Sequence, residues 1–307
     1  MQHFYDLTDI QLEKSFVSIG SFDGVHLGHQ QIIQDLVEKA GQAKIPTAVI
    51  TFHPHPQLII HDEKRPYYIT MPEQRAALLG QMGIDFVLTY PFDKDTSSLP
   101  AEEFVTTLQE RFHFSELWIG YDFALGKNRE GNSNRLKEIG GKLSFEVHEI
   151  PAFKHQGEIV SSSGIRKKIR VGDVKSAASL LGRPFEIRGK VVKGDNRGKS
   201  LGFATSNLSV SPEMVDIKPG VYACQAEIQG EILKAVTNIG FRPTFWEGVK
   251  SALIEAHILD FSRDIYGQQL GLRFYDRLRD EKKFDQVNDL IHQIKVDIDL
   301  ARSILED

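Results

Sequence analysis

The sequence predicts two domains of different class: an α/β N-terminal domain on a parallel sheet, and a mostly antiparallel β-barrel C-terminal domain with a closing helix. Three observations carry this. Short apolar runs alternate with helix-period runs through the first half, the pattern of a parallel sheet covered on both faces. In the second half strands follow one another with few helices between them, separated by turn signals. A single long run of helical period then ends the chain, and 307 residues are enough for two domains.

In the first half, Phe16-Val17-Ser18-Ile19 reads as a strand that leads through Gly20-Ser21-Phe22-Asp23-Gly24 into a helix. That helix carries its apolar residues at Ile32, Ile33, Leu36, Val37 and Ala40, a stripe and not an alternation. Residues 48–52 form a second buried-strand candidate, stopped by the prolines of His53-Pro54-His55-Pro56. Residues 73–82 read as a helix, 86–90 as a strand, and 101–112 as a helix with Phe104, Val105, Leu108 and Phe112 on one face. Residues 117–120 and 145–148 add strands. Ligands on such sheets bind outside the carboxyl ends of the strands, where residues 20–28 should lie.

Two short helices, 164–171 and 173–181, precede the second half. Its strands are residues 186–192, 221–228, 232–239, 253–259 and 270–275, with turns at Gln229-Gly230 and Tyr266-Gly267. The closing helix runs over 284–304, with Val287, Leu290, Ile291 and Ile294 at helical spacing. The boundary is expected just before Gly182, giving domains 1–181 and 182–307.

Composition excludes several classes. Lys plus Arg is 37 against 42 for Asp plus Glu, a net charge of −5 that argues against a nucleic-acid-coating surface. The one cysteine, Cys224, leaves no intrachain disulfide and no cysteine zinc knuckle. The N-terminal stretch has no apolar signal-like core, and no run approaches the ~20 apolar residues of a membrane span. A cytoplasmic chain acting on small molecules is the expectation, with no nucleic-acid or membrane partner; a homo-oligomer stays open.

The sharpest chemical signal is Gly20-Ser21-Phe22-Asp23-Gly24-Val25-His26-Leu27-Gly28-His29. His26 and His29, three apart at a helix start, place both imidazoles on one face. Free backbone N–H groups and the helix dipole favour an anion there, and Gly28 leaves room for a nucleotide to approach the backbone. Two imidazoles can donate to a phosphate as charge builds on its oxygens. A metal-binding histidine pair, with His53 and His55 adding ligands, is the competing reading, although no carboxylate or cysteine completes it at a familiar spacing.

A strand, a glycine-flanked turn and HxGH opening a helix resemble the nucleotidylyltransferase superfamily. The longer GSFDGVHLGHQ resembles the bacterial bifunctional riboflavin kinase/FAD synthetase family. Thr51-Phe52-His53-Pro54-His55-Pro56, residues 118–126 (WIGYDFALG) and Ser161-Ser162-Ser163-Gly164-Ile165-Arg166 match its adenylylation module in order. GDNRGKSLGFATSN, residues 194–207, resembles the glycine-rich segment and PTAN motif of riboflavin kinases. As a P-loop that segment fails, with three residues instead of four between Gly194 and Gly198. The resemblance spans roughly residues 15–300 and implies a Rossmann-like nucleotidylyltransferase domain followed by a riboflavin kinase barrel.

The resemblance implies that riboflavin is phosphorylated by Mg²⁺-ATP to FMN, and that FMN is adenylylated by ATP to FAD and pyrophosphate. In its terms His26, His29, Arg166 and Glu255 are catalytic. Gly20, Ser21, Phe22, Asp23, Gly28, Ser162, Ser163, Gly194, Gly198, Lys199 and Gly202 bind nucleotide. Phe52, Pro54, Asp122, Asn238 and Arg242 bind flavin, and Thr205 and Asn207 hold Mg²⁺. Each has a plainer reading. Arg166 could belong to a solvated basic face with Lys167, Lys168 and Arg170, and Phe52 to the core; Arg279 is open between a flavin-site residue and a helix-end salt bridge. Glu255 alternates with Leu253 and His257 on one face of a strand whose other face is Ile254, Ala256 and Ile258; a surface glutamate is its alternative.

The chain departs from the PTAN pattern: Ala204 stands for the proline and Ser206 for the alanine. Proline would pre-set the backbone, so its loss is expected to loosen the magnesium site. The rival readings are an FAD synthetase with an impaired kinase module, another HxGH transferase acting on an acceptor such as pantetheine phosphate, and a flavin-binding regulator.

Overall fold

Six strands, β1 (Gln2–Phe4), β2 (Ser15–Ile19), β3 (Thr47–His53), β4 (Phe86–Pro91), β5 (Phe114–Gly120) and β6 (Glu146–Ile150), form one sheet in the order β1-β4-β3-β2-β5-β6. Every pair in it is parallel. The computed structural model describes residues 1–62, 65–194, 202–243 and 250–306, with side chains omitted at 241–243 and 250–252. Within them the chain divides into two compact units. The first takes Met1–Arg65 and Thr70–Ser162, and the second takes Pro66–Ile69 and Ser163–Asp307.

In the first unit the apolar runs work as doubly covered strands: all five residues of β2 are buried. Successive residues serve opposite faces. Val17, Ile19, Ala48 and Ile50 join the core made with Phe104, Val105 and Leu108 of α5 (Ala101–Phe112). Phe16 and Val49 join the core made with Ile32, Ile33 and Leu36 of α1 (Leu27–Ala43), and with Ala76 and Leu79 of α3 (Pro72–Gln81). Two short helices, α2 (Pro56–Ile60) and α4 (Lys94–Ser98), and a small hairpin, β7 (Lys154–His155) with β8 (Glu158–Ile159), complete this unit with α6 (Ser133–Leu143). The last was not expected from the sequence. It buries only Leu136, Ile139 and Gly140, too thin a stripe to read as periodic. The edge strand β1, three residues long, was also not expected.

In the second unit α7 (Ser162–Arg170, from its second residue) and α8 (Val174–Leu181) precede β9 (Phe185–Val192), β10 (Ser206–Ser209), β11 (Gly220–Ile228), β12 (Glu231–Pro243), β13 (Lys250–Ile258) and β14 (Gln269–Arg279). These close into a barrel in the order β10-β13-β12-β11-β14-β9, each pair antiparallel. The final helix, α9 (Val287–Ile304), lies on the outer face, where Ala301 packs with Val221, Ala223 and Val236. The expected fold classes of both halves are therefore present. β10, the short strand that begins inside the Ala204-Thr205-Ser206-Asn207 segment, was not foreseen.

Candidate active sites

In the first unit β2 ends at Ile19 and the chain turns through residues 20–25 into α1. The turn is tight: Phe22, Gly24 and Val25 take φ of 47°, 84° and 41°. For a β-branched residue such as Val25 the left-handed region is strained, so the surroundings must hold it. They do: the Val25 amide donates to the Phe22 carbonyl at 3.0 Å, and Gln30 Nε2 donates to the Val25 carbonyl at 2.8 Å. His26 is the N-cap of α1, its Nδ1 accepting from the His29 amide at 3.3 Å. The two imidazoles stack with centroids 3.6 Å apart and planes 16° apart. A Cβ on Gly28 would meet the His26 ring at 3.3 Å, so glycine here makes room for that ring. His26 is buried and His29 half-buried, at the carboxyl edge of the sheet.

Beneath the turn lies a buried polar frame. Arg75 of α3 is fully buried; its Nη1 donates to Thr51 Oγ1 at 2.7 Å and the Phe52 carbonyl at 3.3 Å, and its Nη2 to the Thr70 carbonyl at 3.2 Å. It faces the equally buried Asp23 at 3.9 Å. Asp23 accepts from the Thr70 amide at 3.0 Å, Gly24 donates to Thr70 Oγ1 at 2.9 Å, and Thr51 Oγ1 donates to the Ser21 carbonyl at 2.8 Å. Ser162 Oγ reaches the Asp23 carbonyl at 2.8 Å. Ser21, Asp23 and Ser162, named from the sequence, are thus brought together, and Gly20 closes the strand end through its amide to the Ile50 carbonyl at 3.0 Å.

Other candidates separate. Phe52 is buried and packs against Phe92 and Phe104, at 5.5 and 6.3 Å between centroids, so its ring belongs to the core. Pro54 is half-buried, after a cis His53-Pro54 peptide. Asp122 is exposed in the turn after β5, where its carbonyl accepts from Arg129 Nη2 at 2.8 Å. Ser163 is exposed. In the second unit Arg166 leaves the basic face: it is 3% exposed, donates through Nε to the Tyr67 carbonyl at 2.9 Å, and lies over the Tyr67 ring at 3.7 Å.

The metal alternative for the histidines finds no partner set. Among the described residues the group with ligand spacing is Glu116, Glu146 and His148, not His26, His29, His53 and His55. Glu116 there pairs with Lys39 at 3.1 Å and accepts from Trp118 Nε1 at 3.1 Å, the marks of a satisfied charge cluster. His55 instead caps α2, accepting from the Gln57 amide at 3.1 Å.

In the barrel, strand register assembles a row across the outer face. Asn207 of β10 pairs with Glu255 of β13, which pairs with Asn238 of β12. Beyond Asn238 come Val221 of β11 and Arg279 of β14. Ile254, Ala256 and Ile258 point inward and are buried, so Glu255 stands half-buried on the outer face. Asn207 is 8% exposed, and a Cβ on Gly194 would run into its side chain. Gly202 is an exposed turn residue with φ of 87°, and Thr205 is half-buried just before β10. Gly198 and Lys199 lie outside the described residues, and Arg242 is described in its backbone only, within β12.

Two family models match in order: FAD synthetase over residues 8–164 and riboflavin kinase over residues 181–305. A bifunctional riboflavin kinase/FMN adenylyltransferase of Bacillus subtilis is 34% identical, covering 96% of this chain and 94% of that protein. The protein so described in Escherichia coli K12 is 33% identical over 97% and 95%. The chain belongs to the bifunctional riboflavin kinase/FMN adenylyltransferase family. A solved structure described as a macrolide-efflux protein of Streptococcus pneumoniae is also similar, with TM-score 0.88, 31% identity and 98% of both chains covered. Among the described residues no helix of this chain is long and apolar enough to cross a membrane.

Within this family member one group next to the motifs, Arg75, escaped the sequence reading. Arg75 falls on the buried face of α3 with Pro72, Ala76 and Leu79. A cation in an apolar stripe is the signal that could have found it. Arg279 is held by Asp297 of α9, its Nε 3.0 Å from both carboxylate oxygens and Nη2 2.8 Å from Oδ2. The salt-bridge reading of Arg279 is the one its contacts describe.

Proposed function

We infer that this chain makes FAD from riboflavin in two ATP-dependent steps, through a riboflavin kinase module, 182–307, and an FMN adenylyltransferase module, 1–181. The observation that carries it is the ordered presence of both family matches in one chain, each with its own group of polar side chains. A cytoplasmic setting fits the absence, among described residues, of any helix able to cross a membrane.

For adenylylation, an FMN phosphate oxygen attacks the α-phosphorus of ATP as the bond to the bridging oxygen breaks and pyrophosphate leaves. His26 and His29 donate to the oxygens on which charge grows; the stacked rings, held by a cap bond and by the missing Cβ of Gly28, are organised for this before substrate arrives. Arg166, pinned by Tyr67, takes the charge of the leaving pyrophosphate. Gly20, Ser21, Phe22, Asp23 and Ser162 shape the nucleotide's seat. Pro54 and Asp122 border the flavin, with Phe52 as the apolar wall behind them.

For phosphorylation, Glu255 accepts the proton of the ribityl 5′-hydroxyl as that oxygen attacks the γ-phosphorus. Asn207 and Asn238, its neighbours in the row, orient it and the substrates. Thr205 and Asn207 suit Mg²⁺. They offer a hydroxyl and an amide oxygen, the hard donors this ion takes, and a Gly194 without Cβ leaves the Asn207 amide its place. Bound there with ATP, the ion would neutralise charge on the transferring phosphate. Ala204, in place of the pattern's proline, favours a second reading in which the kinase is weak.

The test is chromatography of flavins after incubation with riboflavin, ATP and magnesium, beside a reaction fed FMN. FMN that appears and then converts to FAD fits both steps. FAD from FMN alone fits the weak-kinase reading, and no new flavin in either reaction rejects both.

A further inference from the structure

His257 stands two residues beyond Glu255 on β13 and on the same outer face, half-buried. Its Nδ1 is 2.8 Å from the carbonyl oxygen of Ala204, and its ring meets that of Phe203 edge-on, with centroids 5.7 Å apart at 82°. A carbonyl oxygen only accepts, so Nδ1 carries the proton, whether the ring is neutral or charged. Residues 203–205 belong to no strand or helix. The peptide that His257 grips is the one immediately before Thr205, at the position where the family pattern has a proline.

We propose that His257 is a positioning residue for the Thr205 loop. It fixes from outside, by one hydrogen bond and one ring contact, a backbone that proline would have restricted from within. The bond links the strand bearing Glu255 to the segment bearing Thr205 and Asn207, so base and metal-holding loop keep one spacing. Losing a proline enlarges the conformational range of the free loop; an anchored carbonyl narrows it again. The proposal rests on the reading of Thr205 and Asn207 as the Mg²⁺–nucleotide residues.

The test compares the full-length chain with His257→Ala and His257→Asn. In asparagine the amide nitrogen sits one bond beyond Cγ, as Nδ1 does in histidine, so it can give the same hydrogen bond without the ring. Hydrogen exchange of peptides spanning residues 203–208, measured without substrate, reads the loop directly. His257→Ala should speed exchange there by roughly three- to tenfold, the worth of one neutral hydrogen bond, and raise the Mg·ATP KM of riboflavin phosphorylation by a similar factor. His257→Asn should restore both in large part. FMN adenylylation by the same samples should stay at parental rate, which shows the chain is folded. Parental exchange and KM in His257→Ala overturn the proposal, as does His257→Asn behaving like alanine. If Thr205→Ala and Asn207→Ala leave riboflavin phosphorylation intact, the nucleotide reading of this loop fails instead, while the exchange measurement still decides whether His257 holds it.

Discussion

Replacing Arg75 by methionine keeps most of the side chain's volume and removes only its charge and donors, which isolates the buried polar frame under the histidine turn. In the parent the guanidinium faces Asp23 at 3.9 Å, both fully buried, and donates to Thr51, Phe52 and Thr70. Without it the buried Asp23 carboxylate loses the Arg75 charge while keeping its Thr70 bonds. Removing one partner of a buried ion pair costs about 3–5 kcal/mol, because the other charge stays desolvated. At about 2–4 °C per kcal/mol for a unit of this size, the transition of the first unit should fall by roughly 10 °C. Calorimetric unfolding reads the shift, and FAD formation from FMN lost at a lower temperature than FMN formation assigns it to that unit. Adding Asp23→Asn to Arg75→Met should recover part of the loss, since the buried charge that lost the guanidinium is then gone. An Arg75→Met chain melting within about 2 °C of the parent would refute this energetic reading. A double variant no better than the single would refute its cause.

His26→Ala and His29→Ala should each slow FAD formation from FMN by about a hundredfold or more while riboflavin phosphorylation continues; near-parental FAD rates in both would end the donor role. Glu255→Gln should cut FMN formation by roughly 10²–10⁴-fold with FAD from supplied FMN unchanged, and joint loss of both activities would count against independent modules. Cys224 is fully buried, and burial pushes its thiol from about 9 up to about 12. Above pH 9 the unfolded chain gives up that proton while the folded one keeps it, so stability falls as pH rises towards 12, by at most about 1.4 kcal/mol per pH unit. Denaturant curves of the parent and Cys224→Ala should therefore converge between pH 8 and 11; parallel curves would show that the thiol does not titrate differently in the two states.

What was legible in the sequence follows from where periodicity is strong. The apolar runs of β2 and β3 and the stripes of α1 and α5 are dictated by burial on two faces, and β2, β3 and α5 stand within a residue or two of their expected limits. The thin helix α6 and the edge strand β1 were missed because little apolar surface marks them. At the candidate sites, residue type singled out the histidine pair and Glu255 for proposal, and the structure adds their surroundings. Long-range partners left no local mark. Thr51 and Thr70 look like ordinary polar residues, yet they tie Arg75 and the residue 20–25 turn together. His257 was noted only as a neighbour of Glu255 on its strand, and its bond to Ala204 crosses 53 residues of chain.

The two chemistries sit where their sheets allow. A parallel sheet ends its strands together and starts its helices there, so backbone N–H groups and a helix dipole face one edge; a reaction that only sheds and stabilises phosphate charge can be run from that edge. The turn bearing His26 needs left-handed backbone at Phe22 and Val25, and that geometry persists because a buried arginine and two threonines hold the segment from below. An antiparallel barrel has no such edge. It offers instead rows of side chains in fixed register on a face that solvent reaches, and Asn207, Glu255 and Asn238 occupy one row on three adjoining strands. A base that must take a proton from a substrate hydroxyl belongs on such a rigid row. On the proposed reading residues 203–205, themselves in no strand, present phosphate to that base, and the bond of His257 to Ala204 ties the two. Among the described residues the proposed tie on 203–205 is one side chain, whereas the histidine turn is held by a buried network. Single substitutions should accordingly trim the first gradually and collapse the second.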